Sequence, residues 1–246
     1  MDMIAERENK KIYRDGDKLV KLFDKSFSKA DVLNEALNLA RIEETCIKTP
    51  ELLNVGKING CWAIEMTYIE GKTLEQLMQE NPEKEDEYLE KFISLQLEIF
   101  TQRAPHLNKI KDKMHSKISA SSYEATIRFD LHNRLEGMKK HKKVLHGDFI
   151  PSNVIVTPQD EYYVIDWAHA TQGNASADAA RTYLVFNLEG RKALAEKYLK
   201  TFSKKADIAL QLIQQWMPIV ACSESVKNIA SERELLDSWV NVFDFQ

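Results

Sequence analysis

The sequence predicts an α+β chain in two lobes: a small N-terminal antiparallel sheet lobe with one helix, then a larger, mainly helical C-terminal lobe. Three observations predict it. Residues 4 to 70 read as short apolar runs separated by turn residues, with a single helical stretch among them. From Leu74 to Lys143 apolar residues recur mainly at helical spacing. Two further short strands, Val154 to Val156 and Tyr162 to Ile165, then follow the polar segment HGDFIPSN. The expected boundary divides residues 1–70 from 71–246.

Composition permits this architecture and excludes others. The 246 residues are 43% hydrophobic, ample for a buried core. No apolar run is long enough to span a bilayer, and MDMIAERENKK does not read as a signal peptide, so a cytoplasmic location and no membrane partner are expected. Cys46, Cys61 and Cys222 are odd in number and widely spaced, which argues against a disulfide framework or a zinc site. Net charge is -4; the lysine-rich stretch Lys109 to Lys143 and the acidic stretch Gln79 to Lys91 both carry helix-like apolar spacing. They read as solvated helix faces, with no nucleic-acid partner expected.

In the N-terminal part, Lys18-Leu19-Val20-Lys21-Leu22-Phe23 reads as a strand entered through the turn Asp15-Gly16-Asp17. Ser28 is placed to cap a helix in which Val32, Leu33, Ala36, Leu39 and Ala40 recur until Thr49-Pro50 ends the run. Glu35 lies one turn from Val32 and from Leu39, at the edge of the apolar stripe, where an unpaired carboxylate would be costly. Lys21, set among apolar strand residues, is its natural partner. Leu52 to Val55 and Cys61 to Ile69 form a hairpin around Asn59-Gly60. Thr73 with Gln76 forms a capping box for the next helix.

In the C-terminal part, Tyr88, Phe92, Leu95 and Ile99 form one helical stripe and Ile127, Leu131, Leu135 and Met138 another. Val144-Leu145 leads into the polar loop, and the turn-rich Thr157 to Glu161 joins the two short strands, setting Asn153 and Asp166 at their outer ends. From Arg191 onward the chain reads as helical, with starts at Ser203 and at Ser231, whose Glu234 would complete a capping box. Pro218 implies a kink or break.

The polar residues of HGDFIPSNVIV and YYVIDW carry the chemistry. Asp148 is the type of group that takes a proton from a hydroxyl, while Asn153 and Asp166 offer the hard oxygen donors that hold Mg²⁺ against a nucleotide's phosphates. A base Asp five residues before a metal-binding Asn, with a second metal-binding Asp after a strand hairpin, is also the order of the protein-kinase catalytic loop. With His146-Gly147-Asp148 and Asp166-Trp167-Ala168, the pair of motifs resembles the aminoglycoside phosphotransferase and choline kinase family, kinase-like enzymes that phosphorylate small molecules.

That resemblance implies a protein-kinase-like fold and Mg²⁺-dependent transfer of the γ-phosphoryl of ATP or GTP to a hydroxyl of a small molecule. Asp148, Asn153 and Asp166 would be the catalytic set, with Asn153 and Asp166 on the metal; Lys21, oriented by Glu35, would grip the phosphates. Glu65, Met66 and Tyr68 match the hinge whose backbone binds the nucleotide base. His146 reads as a residue that orders the loop rather than a second base. Asp178, in the segment Gly173 to Thr182 that resembles the family's Gly-x-x-x-x-Asp-x-Ala-Arg, would brace the catalytic loop, a role compatible with a helix-start carboxylate.

One departure and one open choice stand beside this. Where the family often carries Ile-Gly-Glu-Gly, this chain has Ile4-Ala5-Glu6-Arg7, so the flap over the phosphates is not glycine-flexible. Arg7 with Lys10 or Lys11 either compensates with charge or is solvated surface, and a nucleotide-binding regulator without turnover is the competing function. Glu224, Glu232, Glu234 and Asp237, with Trp216, Tyr183 and Trp239, suit a cationic acceptor, yet acidic helix faces and core tryptophans give the same sequence pattern.

Overall fold

A computed structural model of the chain describes residues 1–7 and 9–241; the side chain of Arg7, and with it that half of the flap-charge expectation, lies outside the described residues. In chain order the elements begin with strands β1 (Asp2–Arg7), β2 (Lys10–Asp15) and β3 (Lys18–Phe23), helix α1 (Lys29–Glu43), β4 (Leu52–Ile58), β5 (Cys61–Thr67), β6 (Lys72–Thr73) and α2 (Leu74–Glu80). There follow α3 (Glu85–Thr101), α4 (Ile110–Ala120), α5 (Ala125–Gly137), β7 (Lys143–Leu145), β8 (Val154–Val156), β9 (Tyr162–Val164) and β10 (Thr171–Gly173). The rest is helical: α6 (Ala175–Leu188), α7 (Lys192–Ala206), α8 (Leu210–Gln214), α9 (Met217–Ser225) and α10 (Arg233–Val240). This is the predicted combination of an N-terminal antiparallel sheet with a mostly helical remainder.

Two compact units result, residues 1–85 with 151–170 and residues 86–150 with 171–246. The first carries a five-stranded antiparallel sheet in the order β1-β2-β3-β5-β4 and a three-stranded sheet β6-β8-β9. Its tight turn at Asn59-Gly60 has φ of 51° and 83°, the paired positive values that a two-residue hairpin demands. Phe23, Val32, Ala36 and Ile64 form the core between sheet and α1. Ser28 caps α1 by accepting the Asp31 amide at 3.1 Å, and Thr73 and Gln76 form the capping box of α2. α1 stops at Glu43 rather than running on to Thr49, because the Thr45 hydroxyl and amide both turn back onto the Ile42 carbonyl.

The second unit packs around an aromatic core in which Phe92, Phe149, Phe186, Tyr198, Phe202 and Trp216 are almost wholly buried. Each large apolar side chain so buried contributes about 1.5–3 kcal/mol. The buried face of α3 runs through Leu89, Phe92, Ile93, Gln96, Ile99 and Phe100. It is turned from the expected stripe, leaving Tyr88 and Leu95 half-buried at its edges. Neither late helix start is where serine spacing placed it. Ser203 sits inside α7, and its hydroxyl donates to the Ile208 carbonyl to close that helix. α10 begins at Arg233 after a 3-10 turn over Ala230–Glu232, with no side-chain cap from Ser231. Pro218 stands in the first turn of α9, where its missing amide costs nothing, and α8 has already ended at Gln214.

Candidate active site

The first unit encloses a cavity of about 380 Å³ whose lining includes Leu19, Lys21, Glu35, Met66, Asn153 and Asp166. Alternation along β3 sets Lys21 on the same face as Leu19. Lys21 is 6% exposed, and its ammonium donates both to Glu35 and, at 2.9 Å, to Asp166. Burial opposes that charge, but the Asp166 and Glu35 carboxylates outweigh it and hold the Lys21 pKa above the ordinary lysine value. The other oxygen of Glu35 accepts from Lys10 at 3.1 Å, and the Lys10 ammonium stands 5.0 Å and 5.1 Å from the Phe23 and Phe27 rings.

Asn153 and Asp166 are set together by the short hairpin. Val154 faces Val164 in the β8–β9 ladder, and the Ile165 amide donates to the Asn153 carbonyl at 2.9 Å. Asp166 itself adopts a left-handed backbone, φ 65° and ψ 59°, a conformation that Asp and Asn tolerate better than other non-glycine residues and that its surroundings hold here. Those surroundings are visible: the Trp167 indole donates to the Thr49 hydroxyl and the Val164 carbonyl, and Asn38 of α1 donates to the Ala168 carbonyl at 3.3 Å.

The predicted hinge residues part company. Met66 and Tyr68 line the cavity, as do Thr67 and Ile69. Glu65 does not; its carboxylate accepts from Asn54 at 3.1 Å and lies 4.0 Å from the Lys18 ammonium. The amides of Thr67 and Tyr68 already donate to the Glu51 and Asp17 carbonyls, whereas that of Ile69 has no backbone acceptor among the described residues. Sequence reasoning passed over Ile69, since a backbone donor leaves no mark on residue type. At the chain start Ile4 and Ala5 line the cavity, and Lys11 pairs instead with Glu6 at 3.0 Å in the open.

Asp148 belongs to the second unit. β7 pairs with β10 and delivers the chain to His146, which is fully buried and accepts the Asp148 amide on Nδ1 at 3.2 Å. One face of α6 then holds the loop through residues at helical spacing. Asp178 accepts the Gly147 amide at 2.6 Å and the His146 amide at 3.3 Å; the Thr182 hydroxyl donates to the Phe149 carbonyl at 2.8 Å. Burial pushes the Asp178 carboxyl above the usual range, against the electrostatic pull of the nearby His146 ring and the two amides. Phe149 stacks on Phe92 with ring centres 4.4 Å apart, which anchors the far side of the loop.

Arg181, on the same α6 face, was not singled out from sequence. Its Nη2 donates to Asp148 at 3.1 Å, and its Nη1 lies 3.3 Å from Glu224 as an ion pair without hydrogen-bond geometry. The i, i+3, i+4 spacing of Asp178, Arg181 and Thr182 was the available signal. Glu224 also accepts from Lys227, so its charge is balanced within the protein.

Comparison with known proteins decides the family. The model of the phosphotransferase enzyme family, APH, matches residues 5–210. The chain belongs to this family. The phosphotransferase is thus a small-molecule kinase, with the fold its motifs implied. A thermostable mutant of aminoglycoside phosphotransferase APH(4)-Ia superposes with a TM-score of 0.71 at 16% identity, covering 99% of this chain and 94% of the other. Choline kinase LicA from Streptococcus pneumoniae gives 0.66 at 14% identity, covering 98% and 93%. A mutant of aminoglycoside 2'-phosphotransferase-IIIa in its GDP complex gives 0.65 at 18%, covering 98% and 92%. At such identities the likeness is one of fold. A search of curated proteins finds no match to the sequence. Among the described residues no helix is long and apolar enough to cross a membrane.

Proposed function

We propose that this phosphotransferase moves the γ-phosphoryl group of ATP or GTP to a hydroxyl of a small molecule, with Mg²⁺. The observation that carries the reading is Lys21: one buried ammonium bonded to Glu35 and to Asp166 within a cavity that Asn153 and the hinge also line. A cation so restrained is oriented to grip phosphates rather than to wander in solvent. The solved relatives add support, since one APH(4)-Ia structure is a ternary complex with AMP-PNP and hygromycin B.

The donor set fits magnesium. Asp166 and Asn153 offer one carboxylate and one amide oxygen, hard ligands of the kind Mg²⁺ takes in ones and twos beside substrate phosphates. Among the described residues there is no cluster of three or more His, Cys, Asp or Glu that would hold a metal without a nucleotide. When bound, the ion would neutralise phosphate charge. The hinge would read the base through the Ile69 amide and neighbouring carbonyls. Asp148 orients the acceptor hydroxyl and accepts its proton, while Asp178, His146 and Thr182 keep its loop in place.

For the acceptor, Tyr183 and Trp239 stack with centres 5.4 Å apart, and the Tyr183 hydroxyl donates to Glu196, a surface suited to an ammonium group. Trp216 is not part of it, being 1% exposed and lining a different cavity. Nucleoside diphosphate release from ATP and from GTP, with Mg²⁺, across aminoglycosides, choline analogues, hydroxy amino acids and sugars tests the reading. Asp148→Ala should abolish acceptor-stimulated release and leave nucleotide affinity intact, whereas Asp166→Ala should weaken Mg²⁺-nucleotide binding too. Equal turnover in wild type and Asp148→Ala would remove the mechanism; nucleotide binding with silence across every acceptor would favour a regulator.

A further inference from the structure

From Ile4 to Lys10 the flap of the first unit carries no glycine. After an irregularity between Met3 and Ala5, β1 and β2 form a regular antiparallel ladder from Ala5 opposite Ile12 to Arg7 opposite Lys10. In such a ladder the amides lie within the sheet and only side chains project from its face. Donors to a phosphate lying under this flap must therefore come from side chains.

The β2–β3 register decides which side chains those are. Arg14 stands opposite Leu19, Ile12 opposite Lys21 and Lys10 opposite Phe23, and opposed residues share one face of the sheet. Lys10 accordingly lines the cavity with Leu19 and Lys21, whereas its neighbour Lys11 pairs with Glu6 in the open. The hinge lies at the start of β3, where the Tyr68 amide donates to the Asp17 carbonyl. Leu19 comes next, then Lys21, and Lys10 stands beside Phe23, two strand residues or about 6.6 Å of backbone beyond Lys21. A nucleotide with its base at the hinge presents its inner phosphates to Lys21 and its outermost one to Lys10.

The Lys10 ammonium is restrained without being saturated. Between the Phe23 and Phe27 rings it donates to one Glu35 oxygen at 3.1 Å, while Lys21 donates to the other. That uses one of its three N–H groups. Two ammonium groups and two carboxylates, Glu35 and Asp166, are the charged groups lining this cavity. Once Asp166 is committed to the metal, as the proposed reaction requires, both cations are left on the single charge of Glu35. A phosphate is the anion that settles that surplus.

Resting on the reading of this cavity as the nucleotide site, we propose that Lys10 is a second phosphate-binding residue. It keeps Glu35 with one N–H and donates the others to the γ-phosphoryl group, in place of the amides that a glycine-flexible flap would supply.

Titration calorimetry of the full chain, with Mg²⁺ and the mono-, di- and triphosphates of adenosine and guanosine, tests this in wild type, Lys10→Met, Lys10→Arg and Lys11→Met. In Lys10→Met the triphosphate should bind at least about tenfold more weakly, while the mono- and diphosphate stay within about threefold of wild type. Lys10→Arg should recover most of that loss, and Lys11→Met should match wild type. A loss equal for di- and triphosphate would show that Lys10 acts only by seating Glu35 and Lys21, and would overturn the proposal. Unchanged triphosphate affinity in Lys10→Met would overturn it too, with the nucleotide site left standing. A wild-type chain that binds no nucleotide would instead remove the nucleotide reading itself and this proposal with it. Should Lys10→Met lack a cooperative thermal transition, Lys10→Gln takes its place with the same selective loss expected.

Discussion

Arg181 stands between Asp148 and Glu224, with one guanidinium nitrogen 3.1 Å from the first carboxylate and the other 3.3 Å from the second. The planar fork lets one side chain from α6 fix the orientation of Asp148 while α9 fixes the fork.

Arg181 is therefore a positioning residue for Asp148. Arg181→Ala should lower kcat by on the order of 10- to 100-fold while leaving KM for the nucleotide nearly unchanged. Arg181→Lys should recover only part of the loss, because an ammonium cannot span both carboxylates. A fall confined to thermal stability, with kcat per folded molecule unaltered, would show that Arg181 acts on packing alone.

Lys21 is the common partner of Glu35 and Asp166 in the first unit. In Lys21→Met the two acids lose that counter-charge, although Glu35 keeps Lys10. Breaking such a buried pair costs up to about 3–5 kcal/mol, and the retained Lys10 contact places the expected loss at or below the lower end. Nucleotide affinity should fall at least about tenfold, beyond what the loss of stability explains. Titration calorimetry beside urea unfolding separates the two; undiminished nucleotide binding would remove Lys21 from the site.

Gly71 is required by close approach rather than by turn geometry. A Cβ there would come within 2.4 Å of the Val156 carbonyl oxygen and 2.8 Å of Ile155 Cγ2. Gly71→Ala should destabilise by about 1–3 kcal/mol and weaken nucleotide binding as β6 is forced off β8. A variant with wild-type unfolding midpoint would show that the two strands separate without cost.

Lys113 on α4 supplies a pH dependence. Burial, with the charges of Lys117 and Arg181, lowers its pKa to about 8, against the pull of Asp178 and Asp148. The folded state therefore sheds the proton at lower pH than the unfolded state does, so this group's contribution to stability rises as pH climbs from about 8 towards the ordinary lysine value of 10.5. Denaturant unfolding across that interval should show wild type gaining on Lys113→Met. A constant difference would contradict the burial of the ammonium.

The local elements were legible in the sequence because their determinants are local. Strand β3 and its Asp15-Gly16-Asp17 turn, the Ser28 cap, the Asn59-Gly60 hairpin and the Thr73/Gln76 capping box each rest on residues within a few positions of one another. The order of Asp148, Asn153 and Asp166 was equally plain, since phosphoryl-transfer chemistry restricts residue type and spacing. Ser203 and Ser231 misled because serine caps a helix only where tertiary packing starts one, and α7 runs straight through Ser203.

What the sequence by itself determined was thus the kinds of element and the chemical groups of the site. The Lys21–Glu35 pair was expected as well, and the tertiary structure forms it; which of the other groups meet, tertiary structure alone decided. It added Asp166 to the Lys21–Glu35 pair, turned Glu65 towards Lys18 and Asn54, and brought Arg181 onto Asp148. It also gathered residues 151–170 into the compact unit formed by residues 1–85. The physical reason is that pairing between distant residues depends on helix rotation and strand register summed over many side chains, and neither is encoded near the residues that finally touch.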